Sequence, residues 1–246
     1  MKKLRFCAIA VAMFILFPQN VSLAAAREFS FSGYEWKVRP YWSSPLSPGP
    51  NHYSDSGKNV WVDGKGQLHL KITRDNDRWN CVEVISKKSF GYGKYIFYLA
   101  SRVDKINENA VLGLFNWSDS SDYSHREFEF EFSRWGKPVD YNAQCVVQPY
   151  DQEGNMRKFN LGLNGDYSTH TFIWEKSGID FLSLRGEDPL PKSEDDKVFS
   201  WKYTGKDIPV PGDENVRMNL WLFRGKPPSD GKEVEVIIRK FEWRPQ

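Results

Sequence analysis

Three glutamates occupy every second position of Glu127-Phe128-Glu129-Phe130-Glu131, with His125-Arg126 before them and Phe132 after. A period of two sends successive side chains to opposite faces of a β-strand. Arg126, Phe128, Phe130 and Phe132 therefore share one face, and His125, Glu127, Glu129 and Glu131 the other. Carboxylates this close repel one another when ionised, so at least one is expected to have a raised pKa. Two carboxyl groups of unlike protonation are what cleavage of a glycosidic bond requires, one to attack and one to protonate the leaving oxygen. The Cα atoms of Glu127 and Glu131 are expected about 13 Å apart at roughly 3.3 Å per residue. Side chains leaning together could close this to the ~5–5.5 Å of a retaining mechanism, whereas inversion leaves more room for a water. The competing reading is a row of glutamates that simply faces water, as one side of an antiparallel sheet commonly does.

The elements that must position this strand are themselves strands. Gly and Pro recur along the chain, the runs between them are short and β-rich, and no long 3.6-residue periodicity appears. Strands are expected over residues 60–62, 67–73, 81–86, 93–100, 111–116, 127–132, 143–149, 169–175, 179–185, 217–223 and 234–243. That pattern predicts an all-β fold, a two-sheet antiparallel β-sandwich or jelly roll in which the phenylalanine face packs between the sheets. Residues 39–57, with several Pro, Gly, Ser and Asn, read as an irregular loop of the kind that walls a binding cleft. Residues 186–197 read as an acidic, solvated connection.

The amino-terminal residues Met1-Lys2-Lys3-Leu4-Arg5, the apolar run 6–17 and the small residues 22–26 together predict a secretory signal cleaved near Ala26. One β-domain over residues 27–246 follows, in a secreted or periplasmic location. The apolar run is too short for a membrane span of roughly 20 residues, and no later segment approaches it. Removal of the signal leaves 31 basic residues against 32 acidic ones, from 34 and 32 in the whole chain. A near-neutral balance without a basic stripe argues against a nucleic-acid partner. Aromatic residues form 15% of the chain and include ten Trp. Many can be core, but flat aromatic faces also serve as platforms for the apolar faces of sugar rings. Cys7 falls in the signal, so Cys81 and Cys145 remain as candidates for a disulfide or as two separate buried thiols. Gly-rich phosphate loops, Cys/His metal arrays and the Gly-x-Ser-x-Gly elbow are all missing from the sequence.

The acidic strand resembles the Glu-x-Asp-x-Glu signature of glycoside hydrolase family 16, which includes lichenases, laminarinases, agarases and carrageenases. The resemblance extends upstream to Asn80-Cys81-Val82-Glu83 and Phe90-Gly91-Tyr92-Gly93-Lys94-Tyr95, and to the apolar run Val111-Leu112-Gly113-Leu114-Phe115. Downstream it covers Tyr167 to Glu175 with Ile179-Asp180-Phe181, then Met218-Asn219-Leu220-Trp221 and Phe241-Glu242-Trp243. It implies a jelly roll of the concanavalin A-like lectin/glucanase type acting on polysaccharide or oligosaccharide. It further implies Glu127 as nucleophile, Glu131 as acid/base and Glu129 as the assisting carboxylate between them. Glu83, Trp221 and Gln144 match substrate-contacting positions, with Trp221 expected to stack on a sugar ring. No cofactor is required under this resemblance; relatives often hold a structural calcium, whose ligands no matching residues identify here.

Departures from the family pattern argue against lichenase specificity. The central acid is Glu129 where the family has Asp, and the extra methylene pushes its carboxylate towards its neighbours. His125 replaces an aromatic residue, Ile85 an Arg, and Val146 and Gln148 an Asn and a Tyr. His125 is read as a replacement contact to sugar, as a group tuning Glu127, or as a rim histidine without a role. Arg126 and Arg134 flank the strand, where they could meet a sulfated or uronic sugar or pair with local Glu. The expectation is an exported, monomeric, endo-acting retaining hydrolase. Its alternatives are a weak or inactive carbohydrate-binding protein of the same fold and a transglycosylase.

Overall fold

The computed structural model describes residues 26–246, so the expected signal lies outside the described residues except for Ala26. Its strands begin with β1 (Glu28–Phe31), β2 (Tyr34–Val38), β3 (His52–Tyr53), β4 (Val60–Val62), β5 (Leu68–Asp75) and β6 (Arg78–Ser86). The middle of the chain supplies β7 (Gly93–Ala100), β8 (Ala110–Trp117), β9 (Phe128–Phe132), β10 (Ala143–Val147) and β11 (Met156–Phe159). The remainder are β12 (Tyr167–Glu175), β13 (Gly178–Arg185), β14 (Lys197–Tyr203), β15 (Asn215–Leu222) and β16 (Val234–Pro245).

Two layers follow from the hydrogen-bonded order. Strands β11-β10-β9-β8-β15-β6 form one, β5-β16-β7-β12-β13-β14 the other, and the β5–β6 hairpin joins them into a continuous sheet. Every pairing is antiparallel except that of the short β3 with β6. The phenylalanine face of β9 lies between the layers as the alternation predicts. Phe128 meets Phe172 edge-on with ring centroids 4.9 Å apart, Phe130 meets Phe181 at 5.3 Å, and Phe132 lies 4.6 Å from His170. Each fully buried aromatic contributes roughly 1.5–3 kcal/mol by leaving water, and these contacts clamp β9 against the opposite layer.

Every strand expected from the sequence is present, with its ends within three residues. Five others are not among those expected: β1, β2, β3, β11 and β14. The β1–β2 hairpin turns at Ser32 and Gly33, both at positive φ (54° and 79°), the geometry of a two-residue hairpin loop. β14 is the last strand of its layer, with a largely half-exposed or exposed face.

Of the two readings of the cysteines, the structure shows the second. Cys81 and Cys145 are separate, buried free thiols. Cys81 lies on β6 and Cys145 on β10, with β15, β8 and β9 between them. At roughly 4.8 Å per strand their backbones are near 19 Å apart, far beyond the ~7 Å limit for a bridge.

Candidate functional site

Strand register builds the site from six strands. One row across the sheet runs Glu83, Asn219, Gly113, Glu131, Gln144 and Lys158. The next runs Arg217, Phe115, Glu129, Val146 and Met156. Glu127 stands just before β9, where its carbonyl accepts a hydrogen bond of 3.0 Å from the Gln148 amide. These rows floor a cleft of about 820 Å³. Arg39, Ser47 and Pro48 form part of its wall, as expected of the loop over residues 39–57. Gly113 is required in this floor: a Cβ there would come within 2.5 Å of Asn219 Oδ1, which accepts a hydrogen bond from the Gly113 amide at 3.1 Å.

The three glutamates are enclosed by the cleft instead of facing open water, and Glu129 is only 7% exposed. All three are pushed up in pKa, chiefly by burial, which disfavours the charged form. Glu127 rises to about 8; repulsion from Glu131 adds to burial, and Arg217 pulls partly the other way. Glu129 is raised well above the ordinary range by burial and then by repulsion from Glu131 and Glu127. Glu131 is raised by burial and drawn back by Gln144, whose Nε2 donates to Glu131 Oε2 at 2.7 Å. Because the three carboxyl groups repel one another across a few ångströms, they titrate as a group and not one by one.

Trp221 and Gln144 line the cleft as expected. Glu83 does too, but it is 3% exposed and both its oxygens are engaged, Oε1 by Arg217 at 3.2 Å and Oε2 by Arg39 at 3.1 Å. It holds those two guanidinium groups in the floor of the cleft. His125 and Arg126 depart from the expected alternation because Tyr123 to Arg126 all lie at positive φ, which breaks the strand before Glu127. His125 is not among the residues lining the cleft; it stacks on Trp117 at 4.2 Å and donates from Nδ1 to the Ser118 carbonyl at 3.0 Å. Arg126 is buried, donating from Nε to the Val210 carbonyl at 3.0 Å, with Gly212 packed against its guanidinium.

Sequence reading assigned no role to Arg217, Asn219, Trp117 or Trp135, all of which line the cleft. Arg217, Asn219 and Trp221 are spaced by two on β15, so the period that singles out the glutamates would have put all three on Trp221's face. Arg217 is also the cross-strand partner of Ile85, which puts a guanidinium beside the position where the family pattern has Arg. Among the described residues no group of three or more His, Cys, Asp or Glu side chains could hold a metal ion. No helix of the described residues is long and apolar enough to cross a membrane.

Neither a protein-family model nor a curated protein matches the sequence. Solved structures do match. A β-glucanase of Bacillus licheniformis superposes with a TM-score of 0.62 at 18% identity, over 86% of this chain and 92% of that one. The chain has the jelly-roll fold of the β-glucanases. A second glucanase-fold structure is a family 16 glycoside hydrolase from the mixed-linkage glucan locus of Bacteroides ovatus, in complex with its G4G4G3G product. It is similar at a TM-score of 0.60 and 15% identity, over 85% and 94% of the two chains. A third is an immunostimulatory antigen and pseudo β-1,3-glucanase of Mycobacterium tuberculosis, at a TM-score of 0.60 and 20% identity over 86% and 91%. In this glucanase fold the acidic strand forms the floor of the cleft, between β8 and β10.

Proposed function

We propose that this chain is an exported, divergent family 16 glycoside hydrolase that cleaves β-linked polysaccharide with retention of configuration. The observation that carries the reading is the row Glu127, Glu129 and Glu131, enclosed on the floor of an aromatic-lined cleft in a glucanase fold. Glu127, once ionised, attacks the anomeric carbon, and Glu131, whose proton burial favours, gives that proton to the leaving oxygen. Water then hydrolyses the glycosyl ester while Glu131 takes the water's proton, which returns both groups to their starting states. Gln144 fixes the orientation of Glu131 through its 2.7 Å hydrogen bond. Arg217 is the cation that favours the charged form of Glu127. Trp221 offers a flat apolar face to a sugar ring.

The test is release of reducing ends from β-glucans, galactans, agars and carrageenans by the purified chain, with Glu127→Gln as the blank. Release that falls to the blank level in Glu127→Gln, and by about 10²–10⁴-fold in Glu131→Gln, is the expected result. Equal release from the Glu127→Gln chain would sink the assignment. Because Glu127 must ionise, kcat/KM should climb as pH approaches about 8.

That same raised pKa favours a second reading, carbohydrate binding without turnover, since a protonated Glu127 cannot attack. The extra methylene of Glu129 over the family's Asp supports it too, as does the similarity to a protein described as a pseudo-glucanase. Saturable binding to a polymer from which no reducing ends are released would favour this reading.

A further inference from the structure

The cations of the cleft fall into two sets. Arg39 and Arg217 are neutralised within the protein, by Glu83 on one side and, for Arg217, by Asp119 at 2.8 Å. Arg134, Lys137, Lys158 and Arg224 also line the cleft, and among the described residues none of them forms a salt bridge with a carboxylate. They gather at the Glu131 end. Arg134 and Lys137 follow β9, Lys158 shares the row of Glu131, and Arg224 follows β15, which runs parallel to β9 with β8 between them.

Their charge does no evident work inside the molecule. Glu131 owes its shifted pKa to burial and Gln144, without a contribution from these cations. Glu108 is held below its ordinary range first by Ser229 and its own backbone, and only weakly by Arg134. Lys158 rests its ammonium over Tyr141 at 4.6 Å and donates to its hydroxyl at 3.2 Å, which leaves its charge unneutralised. Backbone strain marks the same place: Trp135 and Arg224 both sit at positive φ, 49° and 55°, a conformation that costs a side-chain-bearing residue energy and is kept where the surroundings impose it.

The geometry points to an anionic polysaccharide as the occupant of this cleft, with a sulfate or carboxylate substituent held at the Glu131 end by Arg134, Lys158 and Arg224. Guanidinium groups bind such oxyanions in a bidentate fork, and an ammonium adds a point charge. The aromatic rings of Trp135, Tyr141 and Phe223 beside them supply the apolar surface a pyranose needs. This inference rests on the carbohydrate cleft proposed above and names the class of sugar it takes.

Affinity electrophoresis and turnover assays test it with matched polymers: a sulfated galactan and the same galactan after desulfation, a polyuronate, and a neutral β-glucan. The expected result is retardation by the sulfated galactan or the polyuronate that weakens on desulfation or at high salt. Each of Arg134→Gln, Lys158→Gln and Arg224→Gln should lower affinity by roughly tenfold, the worth of one charge-assisted contact. The sulfate and carboxylate arms decide which substituent is held. Cleavage of the neutral β-glucan, dependent on Glu127 and indifferent to these three variants, would overturn this inference and leave the hydrolase reading standing. Retention of a polyanionic sugar without cleavage would support the inference and count against the hydrolase. Equal retardation by poly-glutamate would overturn the inference by reducing the cluster to an unspecific ion exchanger.

Discussion

The two faces of β9 are built by the same alternation and do opposite things. On one, Phe128, Phe130 and Phe132 are wholly buried among aromatic rings of the facing layer. On the other, Glu129 is almost as deeply enclosed, yet what it loses in hydration nothing comparable restores. The phenylalanine face stabilises the fold, and the glutamate face draws on that stability to hold carboxyl groups where they would not choose to be. The difference teaches that burial alone does not separate scaffold from site. What separates them is whether the buried groups find partners.

The sharpest way to break the comparison is at Phe130. Phe130→Ala should destabilise the protein by about 3–5 kcal/mol in urea unfolding, from lost transfer energy plus the cavity left behind. A cost near that of an exposed site would mean that this face is not the clamp described.

The glutamate face should show itself through pH. A carboxyl group whose folded pKa lies above its unfolded value keeps its proton longer in the folded state, so stability falls as pH rises between the two values. For Glu127 the window runs from the ordinary 4.5 to about 8. The protein should therefore lose stability progressively across that range, and Glu127→Gln should flatten the loss when thermal midpoints are compared at pH 5 and pH 8. An unchanged slope in the variant would put Glu127 in ordinary contact with water.

The smallest effect belongs to the thiols. Cys145 lies opposite Phe130 on β10, in the core with Cys81 but strands away from it. Dithiothreitol should leave the thermal midpoint where it was, and a drop of several degrees would restore the bridge.

How legible all this was depended on the range of the interactions. The β9 pattern is local, so its period and its buried phenylalanines followed from neighbouring residues. The β8 and β12 runs were clear for the same reason. Arg217 was invisible because its meaning lies in what faces it: Glu83, Asp119 and the carboxyl of Glu127 come from distant parts of the chain. His125 was misplaced because four successive residues at positive φ break an alternation that letters alone continue. The basic end was half seen: Arg134 was noticed beside the strand, whereas Lys158 and Arg224 join it only through sheet register and the end of β15.

The position of β15 also bears on how the protein forms. It is among the last strands made, yet it sits between β6 and β8, which precede it by about a hundred residues, and it carries Arg217, Asn219 and Trp221 into the cleft. Until it arrives, two strands of the layer have open edges, and open edges recruit other chains. Pairings this distant in sequence make folding slow, on the scale of milliseconds to seconds. The floor of the cleft is complete only once the carboxy-terminal part of the chain has paired with both β6 and β8.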